Sequence, residues 1–319
     1  MTTPLVSIVM PVYNRAWCVA DAIESVLTIN RAELELVIVD DGSDDGTPQI
    51  LAKYAARHPE RVQVRTHPER ANRGIAASRN LGITHSCGKY LAFLDSDDIY
   101  LPDRFRYAIE WLENHRDFLA CVEPYLIEEV GQGEPAKEVR HLTDVSPANS
   151  GWLRAMLSTN TYWNMPVITL RREVFERFGG FDESLRFAEE TSLWLKLAAV
   201  GAVGVAQDRH PVACVRRHGG HSWDSSDRMA DRRTFLHVLL DALAWAEDCR
   251  DLAEPVREIL REKLQTYLAE ILSDAALPLP FRLRAWLDSM IVRPRLLLDR
   301  RVTANLAYAP FRRRQMGTK

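Results

Sequence analysis

The amino-terminal two-thirds of the chain alternates short apolar runs with stretches of helical spacing. "LVSIVM" (5–10) is an apolar run ended by Pro11, and "AWCVADAIESVL" (16–27) carries apolar residues at helical intervals. "LELVIVD" (34–40) predicts a second buried strand, followed by the turn-rich "DDGSDDG" and a helix from about Thr47 to Arg57. "RVQVRT" (61–66) predicts a third strand, "GIAASRNLGITHS" (74–86) a helix and "KYLAFL" (89–94) a fourth strand. Pro102 stands where a first helical turn tolerates it, opening "PDRFRYAIEWLENH". Further on, "VGQGEPAKEV" (130–139) reads as a loop and "MPVITLRREVFERFGGFDE" (165–183) as strand, helix and double-glycine turn. "EETSLWLKLAAVG" (189–201) reads as a helix ended by Gly201, and "PVACVRRHGGHS" (211–222) as a strand entering a polar loop. From about Asp224 the pattern is helical only. There "VREILREKLQTYLAEIL" (256–272) puts Val256, Ile259, Leu260, Leu264, Tyr267, Leu268 and Ile271 on one stripe.

Strands separated by helices of this length predict parallel pairing with helices on both faces. The expected class is α/β: a mostly parallel central sheet over residues 1–223, then a helical C-terminal region with a basic tail over 224–319. Such sheets bind ligands at the carboxyl ends of their strands. "PVYNR" follows strand one, "DDGSDDG" strand two and "DSDD" strand four, so these three polar clusters should meet.

Asp95, Asp97 and Asp98 arrive within four positions at the end of an apolar strand, where their mutual repulsion costs stability. Closely spaced carboxylates are hard oxygen ligands suited to Mg²⁺ or Mn²⁺, which complete their shell with substrate phosphates. The plainer alternative is a solvated turn whose aspartates cap a helix. Asp44 and Asp45 read as helix caps, whereas Asp40 and Asp41, at the strand end itself, can accept hydrogen bonds from a base or ribose. Tyr13 has two readings, packing or a face for a nucleobase. Arg79, on a helix beginning with Gly74, is either a surface salt bridge or a clamp for a diphosphate. No G-x-G-x-x-G and no G-K-[ST] loop occurs, which removes the main support for a dinucleotide site or a P-loop.

In order and spacing, "VSIVMPVYNR", "LVIVDDGSDDGT", "NRGIAASRNLGI" and "GKYLAFLDSDDIYLPDR" resemble the successive motifs of family 2 glycosyltransferases, over about residues 5–222. The resemblance implies the fold called glycosyltransferase A and an inverting transfer of sugar from a nucleoside-diphosphate sugar, a UDP-sugar foremost, to a glycan or lipid-linked hydroxyl, in glycan or polysaccharide biosynthesis. It implies that Pro11, Tyr13 and Asp41 frame the nucleobase and ribose, with Arg79 near the diphosphate. Asp95 would lie near the ribose or metal, with Ser96 beside it among the donor-binding residues. Asp97 would be the principal protein ligand to a divalent cation, Mg²⁺ or Mn²⁺, and His218, in "RRH", is either a second contact to it or a plain loop histidine. The family's acidic pair before a Leu-Trp helix corresponds to "AEETSLWLKL". Glu190 falls where a catalytic aspartate is usual, and Ser192 where a second aspartate is common. Both depart from the pattern, and Glu189 competes with Glu190 for the role of base. "STNTYWNMP" (158–166) offers Trp163 and Asn164 either to an acceptor or to packing against the helix at 189–200.

Composition adds little to this but charge does. Apolar residues make up 46% and charged residues 27% of the 319, ordinary for a globular chain. The five cysteines are scattered and form no C-x-x-C pair, which argues against zinc or a disulfide framework and for a reducing, cytoplasmic setting. No secretory signal pattern and no membrane-spanning run is read from the residues. Net charge is −3, yet residues 282–319 hold ten Lys/Arg against Asp288 and Asp299, a local +8 that leaves −11 on the rest. A basic tail on an acidic body suggests a polyanionic contact. The Arg-Leu-Trp mixture of 281–314 fits peripheral contact with the inner face of a membrane, or packing on the catalytic domain. Pro294 and Pro310 interrupt any long amphipathic helix there and favour packing. Few aromatics interleave the arginines, so no nucleic-acid partner is expected. A metal-dependent nucleotidyltransferase and a non-catalytic sugar-nucleotide-binding protein are the competing readings.

Overall fold

The computed structural model describes residues 4–29, 33–129, 137–140, 151–159, 163–185, 187–205, 210–218 and 228–292. The chain divides into two compact units, Met1–His221 and Ser222–Lys319. The strands are β1 (Val6–Val12), β2 (Leu34–Asp40), β3 (Val62–Thr66), β4 (Tyr90–Phe93), β5 (Ile99–Tyr100), β6 (Ala120–Val122), β7 (Tyr125–Glu129), β8 (Lys137–Arg140), β9 (Ile168–Arg171), β10 (Val203–Val205) and β11 (Ala213–Arg217). The helices are α1 (Val19–Leu27), α2 (Thr47–Arg57), α3 (Ile75–Thr84), α4 (Arg106–Asn114), α5 (Gly151–Thr159), α6 (Glu173–Phe178), α7 (Glu189–Ala199), α8 (Arg228–Asp248), α9 (Glu254–Ser273) and α10 (Leu279–Val292).

The first unit is built on a sheet of order β10-β6-β9-β4-β1-β2-β3. Every residue of β1, β2 and β4 is buried, which explains their unbroken apolar runs: a central strand covered on both faces has no polar side. β1 does not stop at Pro11. The Val9 carbonyl accepts from Leu94 N–H and the Val12 carbonyl from Asp41 N–H, so the intervening Pro11 nitrogen points to the β4 side. Pairing with β4 ends at Val9–Phe93, so the missing N–H of proline removes no ladder bond there. One strand, β9, runs antiparallel between β4 and β6. β9 is only four residues long, Ile-Thr-Leu-Arg, and carries no mark of its direction, so the sequence pattern could not reveal this.

A second sheet, β5-β11-β7-β8, lies beyond the expectations from sequence. Residues 137–139, read there as loop, belong to β8, antiparallel to β7. "KEVR" has a single apolar residue, so its pairing left no signature. The helix expected to open at Pro102 begins instead at Arg106, after Phe105 in the left-handed region (φ 76°). Tertiary contacts take those residues off a helical path. Buried Arg104 donates to Glu123 Oε2 (2.5 Å), Thr169 Oγ1 (2.8 Å) and the Ile168 carbonyl (2.9 Å), with its guanidinium 4.2 Å from the centre of the Phe105 ring.

The second unit contains α8, α9 and α10. The whole α9 stripe, from Val256 to Ile271, is buried as its spacing predicts. Arg257 donates to the carbonyls of Ala246 (2.9 Å) and Cys249 (2.6 Å), tying α9 to the end of α8. Buried Arg282 of α10 donates to the Leu272 carbonyl at 2.9 Å. Among the described residues no helix is long and apolar enough to cross a membrane. All five cysteines are free thiols.

Candidate active site

The three polar clusters meet. In the loop after β1, Asn14 N–H donates to Ser43 Oγ (2.9 Å), Arg15 N–H to Thr47 Oγ1 (2.9 Å) and Ala16 N–H to Asp45 Oδ2 (3.1 Å). Asp45 also caps α2 by accepting from Thr47 N–H at 2.8 Å. The same loop reaches the third cluster, where Cys18 Sγ donates to the Ser96 carbonyl (3.3 Å) and Arg15 Nε lies 3.5 Å from Asp97 Oδ2. Tyr13 and Trp17 on this loop are exposed, an unusual state for two large aromatics on a well-anchored segment.

β11 supplies the opposite wall. Arg216 Nε donates to the Asp97 carbonyl (2.6 Å), its backbone N–H to Asp98 Oδ1 (2.9 Å) and its Nη1 to Asp21 Oδ2 (3.1 Å). This brings His218 Nε2 to 3.1 Å from Asp97 Oδ2. The exposed Trp17 indole meets the His218 ring edge-on, 5.0 Å between centroids. Burial, together with the neighbouring charges of Asp95 and Asp97, pushes the Asp98 carboxyl well above the usual carboxylate range. The other two carboxylates of the loop are met by arginines, Asp95 by Arg79 at 2.7 Å and Asp97 by Arg15 at 3.5 Å. Asp98, read from sequence only as one of three carboxylates, holds β11 against the loop.

Arg79 is neither a surface salt bridge nor an open guanidinium. It is 2% exposed; Nη1 donates to Glu189 Oε1, and Nη2 donates to Asp95 Oδ1 at 2.7 Å. Burial opposes its charge, but Asp95, Glu189 and Glu190 outweigh this and hold it firmly protonated. One cation therefore joins the loop after β4 to the first turn of α7. Glu189 is buried in this bridge, while the neighbouring Glu190 is only half-buried. Burial and the Glu189 charge push the Glu190 carboxyl up to about 7, with Arg79 acting against them. Ser192 is buried within α7.

The remaining expected residues divide. Asp41 is buried at the end of β2, and its two oxygens accept from Arg73 N–H (2.7 Å) and Gly74 N–H (2.9 Å). It thereby fixes the start of α3, where Gly74 has φ 91°, a conformation that suits glycine. Asp40 accepts from Ser43 N–H at 3.0 Å. Pro11 in β1 and Ser96 after β4 are buried, and Tyr13 is exposed on the loop after β1. Trp163 is buried, meeting Trp152 (5.1 Å) and Trp194 (5.9 Å) edge-on, which is the packing that is one of its two readings. Arg15, Trp17, Glu189 and Arg216 are the site residues that sequence reasoning undervalued. Arg15 and Arg216 sat within quoted motifs, but nothing in their spacing showed that they converge on Asp97.

The family described as "Glycosyl transferase family 2" matches residues 7–177, and the chain belongs to it. An uncharacterized glycosyltransferase of Rickettsia conorii is 30% identical over 200 residues, covering 62% of this chain and 31% of that protein. The chain therefore spans about a third of that relative's length. Staphylococcus aureus TarS 1–349, solved with UDP-GlcNAc, superposes with a TM-score of 0.69 at 19% identity, covering 98% of this chain and 92% of TarS. The mannosyltransferase PcManGT of Pyrobaculum calidifontis, solved with GDP-Man and Mn²⁺, gives 0.53 at 20% identity, covering 100% and 89%. The fold is glycosyltransferase A, with β9 its antiparallel member here.

Proposed function

We propose that this chain transfers a sugar from a nucleoside-diphosphate sugar to an acceptor hydroxyl, with inversion at the anomeric carbon. The observation that carries the reading is the bridge through Arg79. It sets a carboxyl with a pKa of about 7, Glu190, in fixed relation to the acidic loop that faces His218. The acceptor hydroxyl attacks the anomeric carbon while the nucleoside diphosphate leaves from the opposite face. Glu190 takes the hydroxyl proton, and a carboxylate poised near neutrality is well matched to that task. Arg15, beside Asp97, adds positive charge around the leaving group, whereas Arg79 is committed to Glu189 and Asp95 and positions those carboxylates rather than the diphosphate. Pro11, Tyr13 and Asp41 lie at the strand ends where nucleobase and ribose would sit, Tyr13 presenting its ring and Asp41 shaping the backbone around them.

The residues fit a divalent cation. Asp97 Oδ2 and His218 Nε2 converge at 3.1 Å. Among the described residues no group of three or more possible protein ligands forms, and Mg²⁺ or Mn²⁺ ordinarily takes one or two protein ligands and the rest from phosphates and water. Asp97 and His218 would hold such an ion, which would offset the charge developing on the diphosphate. PcManGT, solved with Mn²⁺, supports the same reading. The TarS complex with UDP-GlcNAc makes a UDP-sugar the first donor to test. Calorimetry with UDP-GlcNAc, UDP and GDP-mannose, with and without MnCl₂, together with a donor-hydrolysis assay, checks the proposal. Saturable, Mn²⁺-dependent binding and slow hydrolysis are expected; binding without hydrolysis or transfer would make the chain a sugar-nucleotide-binding protein.

A further inference from the structure

The second unit ends, among the described residues, in a helix with one buried side and a separate, exposed leucine stripe. On one side of α10, Arg282, Ala285 and Ser289 are buried. Leu279, Leu283 and Leu287 follow one another at four-residue intervals and are 37%, 39% and 51% exposed. At about 100° per residue they form a continuous stripe well off the buried side. Trp286 and Met290, both half-buried, fall between the two faces. The remaining sector is polar: Arg284 Nε pairs with Asp288 Oδ1 at 2.8 Å, both side chains open to solvent. A leucine stripe of this kind, left outside the packing of its own unit, covers apolar area that water penalises at about 25 cal/mol per Å².

The chain that follows supplies a sign. Residues 293–319 carry eight Lys/Arg (Arg293, Arg295, Arg300, Arg301, Arg312, Arg313, Arg314 and Lys319) against Asp299. An apolar stripe followed directly by a cationic segment matches an anionic lipid surface, whose acyl boundary takes the leucines and whose headgroups take the arginines. The acidic body of a second copy would also attract such a segment, and the test below separates that occupant from the bilayer. The expectation that prolines favour a packed tail does not reach this stripe, because α10 ends at Val292, before Pro294.

We propose that Leu279, Leu283 and Leu287 of α10 form a membrane-interface face that seats this protein on an anionic bilayer, with the following basic segment as its electrostatic partner. A single weak anchor of either kind gives only marginal binding, and the two together give stable, salt-sensitive attachment. The consequence for the proposed reaction is an acceptor presented from the bilayer, which deepens the transferase reading above.

The test is flotation of the full chain with vesicles of phosphatidylcholine alone or with about a third phosphatidylglycerol, an anionic composition of the kind such basic segments recognise. It uses no donor or acceptor, so its outcome is separate from that of the transferase reading. The wild type is expected to float with anionic vesicles only, and to be released by high salt. Leu283→Glu/Leu287→Glu should lower the partition coefficient at least ~10-fold with an unchanged thermal midpoint and circular dichroism spectrum. Arg312→Gln/Arg313→Gln/Arg314→Gln should weaken binding and flatten its salt dependence. Equal partition of the leucine variant and the wild type overturns the proposal, as does a wild type that ignores anionic vesicles. A wild-type dimer that the leucine variant converts to monomer, by analytical ultracentrifugation, overturns it too by giving the stripe to a second copy.

Discussion

His218 Nε2 lies 3.1 Å from Asp97 Oδ2, and this contact joins the end of β11 to the acidic loop after β4. Arg15 approaches the same oxygen at 3.5 Å. An imidazole and a guanidinium thus converge on the one carboxylate oxygen where a cation and its phosphates would bind. Asp97→Asn should abolish the Mn²⁺-dependent gain in affinity for UDP-GlcNAc measured by calorimetry. The exchange removes the ion pair to Arg15 and weakens the hydrogen bond to His218, together about 1 kcal/mol, so the thermal midpoint should fall by no more than about 4 °C. An Asp97→Asn protein with its metal dependence intact would remove Asp97 from the metal site.

Glu190→Gln should lower turnover by about 10²–10⁴ with donor affinity nearly unchanged. The wild type carries a second signature. Because Glu190 must be ionised to accept a proton and its pKa is about 7, kcat/KM should climb through neutrality and level off above it. A flat profile between pH 6 and 8 would move the base elsewhere.

The same carboxyl makes a prediction about folding. Its folded pKa of about 7 lies above the ordinary 4.5, so between these values the native state binds more protons than the unfolded chain. Stability contributed by this group is therefore present below about 4.5 and is lost as pH rises through about 7. Denaturant titrations at pH 5 and pH 8 should show a smaller drop for Glu190→Gln than for the wild type. Identical drops would mean that Glu190 is not the group responsible.

Arg79 gives a sharper energetic test. Arg79→Met leaves Glu189 buried without its cation, a loss of about 3–5 kcal/mol. Asp95, closer to solvent, can rehydrate. Arg79→Met/Glu189→Met should recover most of that loss, because replacing both partners of a buried pair by apolar groups is often near neutral. Chemical denaturation of the two variants decides: no recovery in the double variant would show that Arg79 acts mainly through Asp95.

What the sequence made legible is what periodicity and motif spacing encode. The buried strands β1, β2 and β4, the α9 stripe and the meeting of the three strand-end clusters all follow from local pattern. What it hid is contact between distant residues. The Arg104–Glu123 pair displaced the start of α4, and nothing in "PDRFRYAIEWLENH" marks Glu123 as a partner. The burial of Arg79 was equally hidden, since an arginine on a helix with small residues is compatible with a surface position until Glu189 is seen across from it. Trp163 shows the reverse: its packing against α7 was one of two sequence readings, and the Trp152–Trp163–Trp194 stack selected it.

The grip of β11 on the acidic loop has a consequence for how such a chain can diversify. Arg216 holds the loop through the main-chain carbonyl of Asp97 and through Asp98, and neither contact involves residues 130–212. Insertions or replacements in that stretch leave this latch in place so long as β9 and α7 keep their stations. The loop proposed to hold the donor can then be inherited unchanged while the segments between β9 and α7, and those before β9, are rewritten.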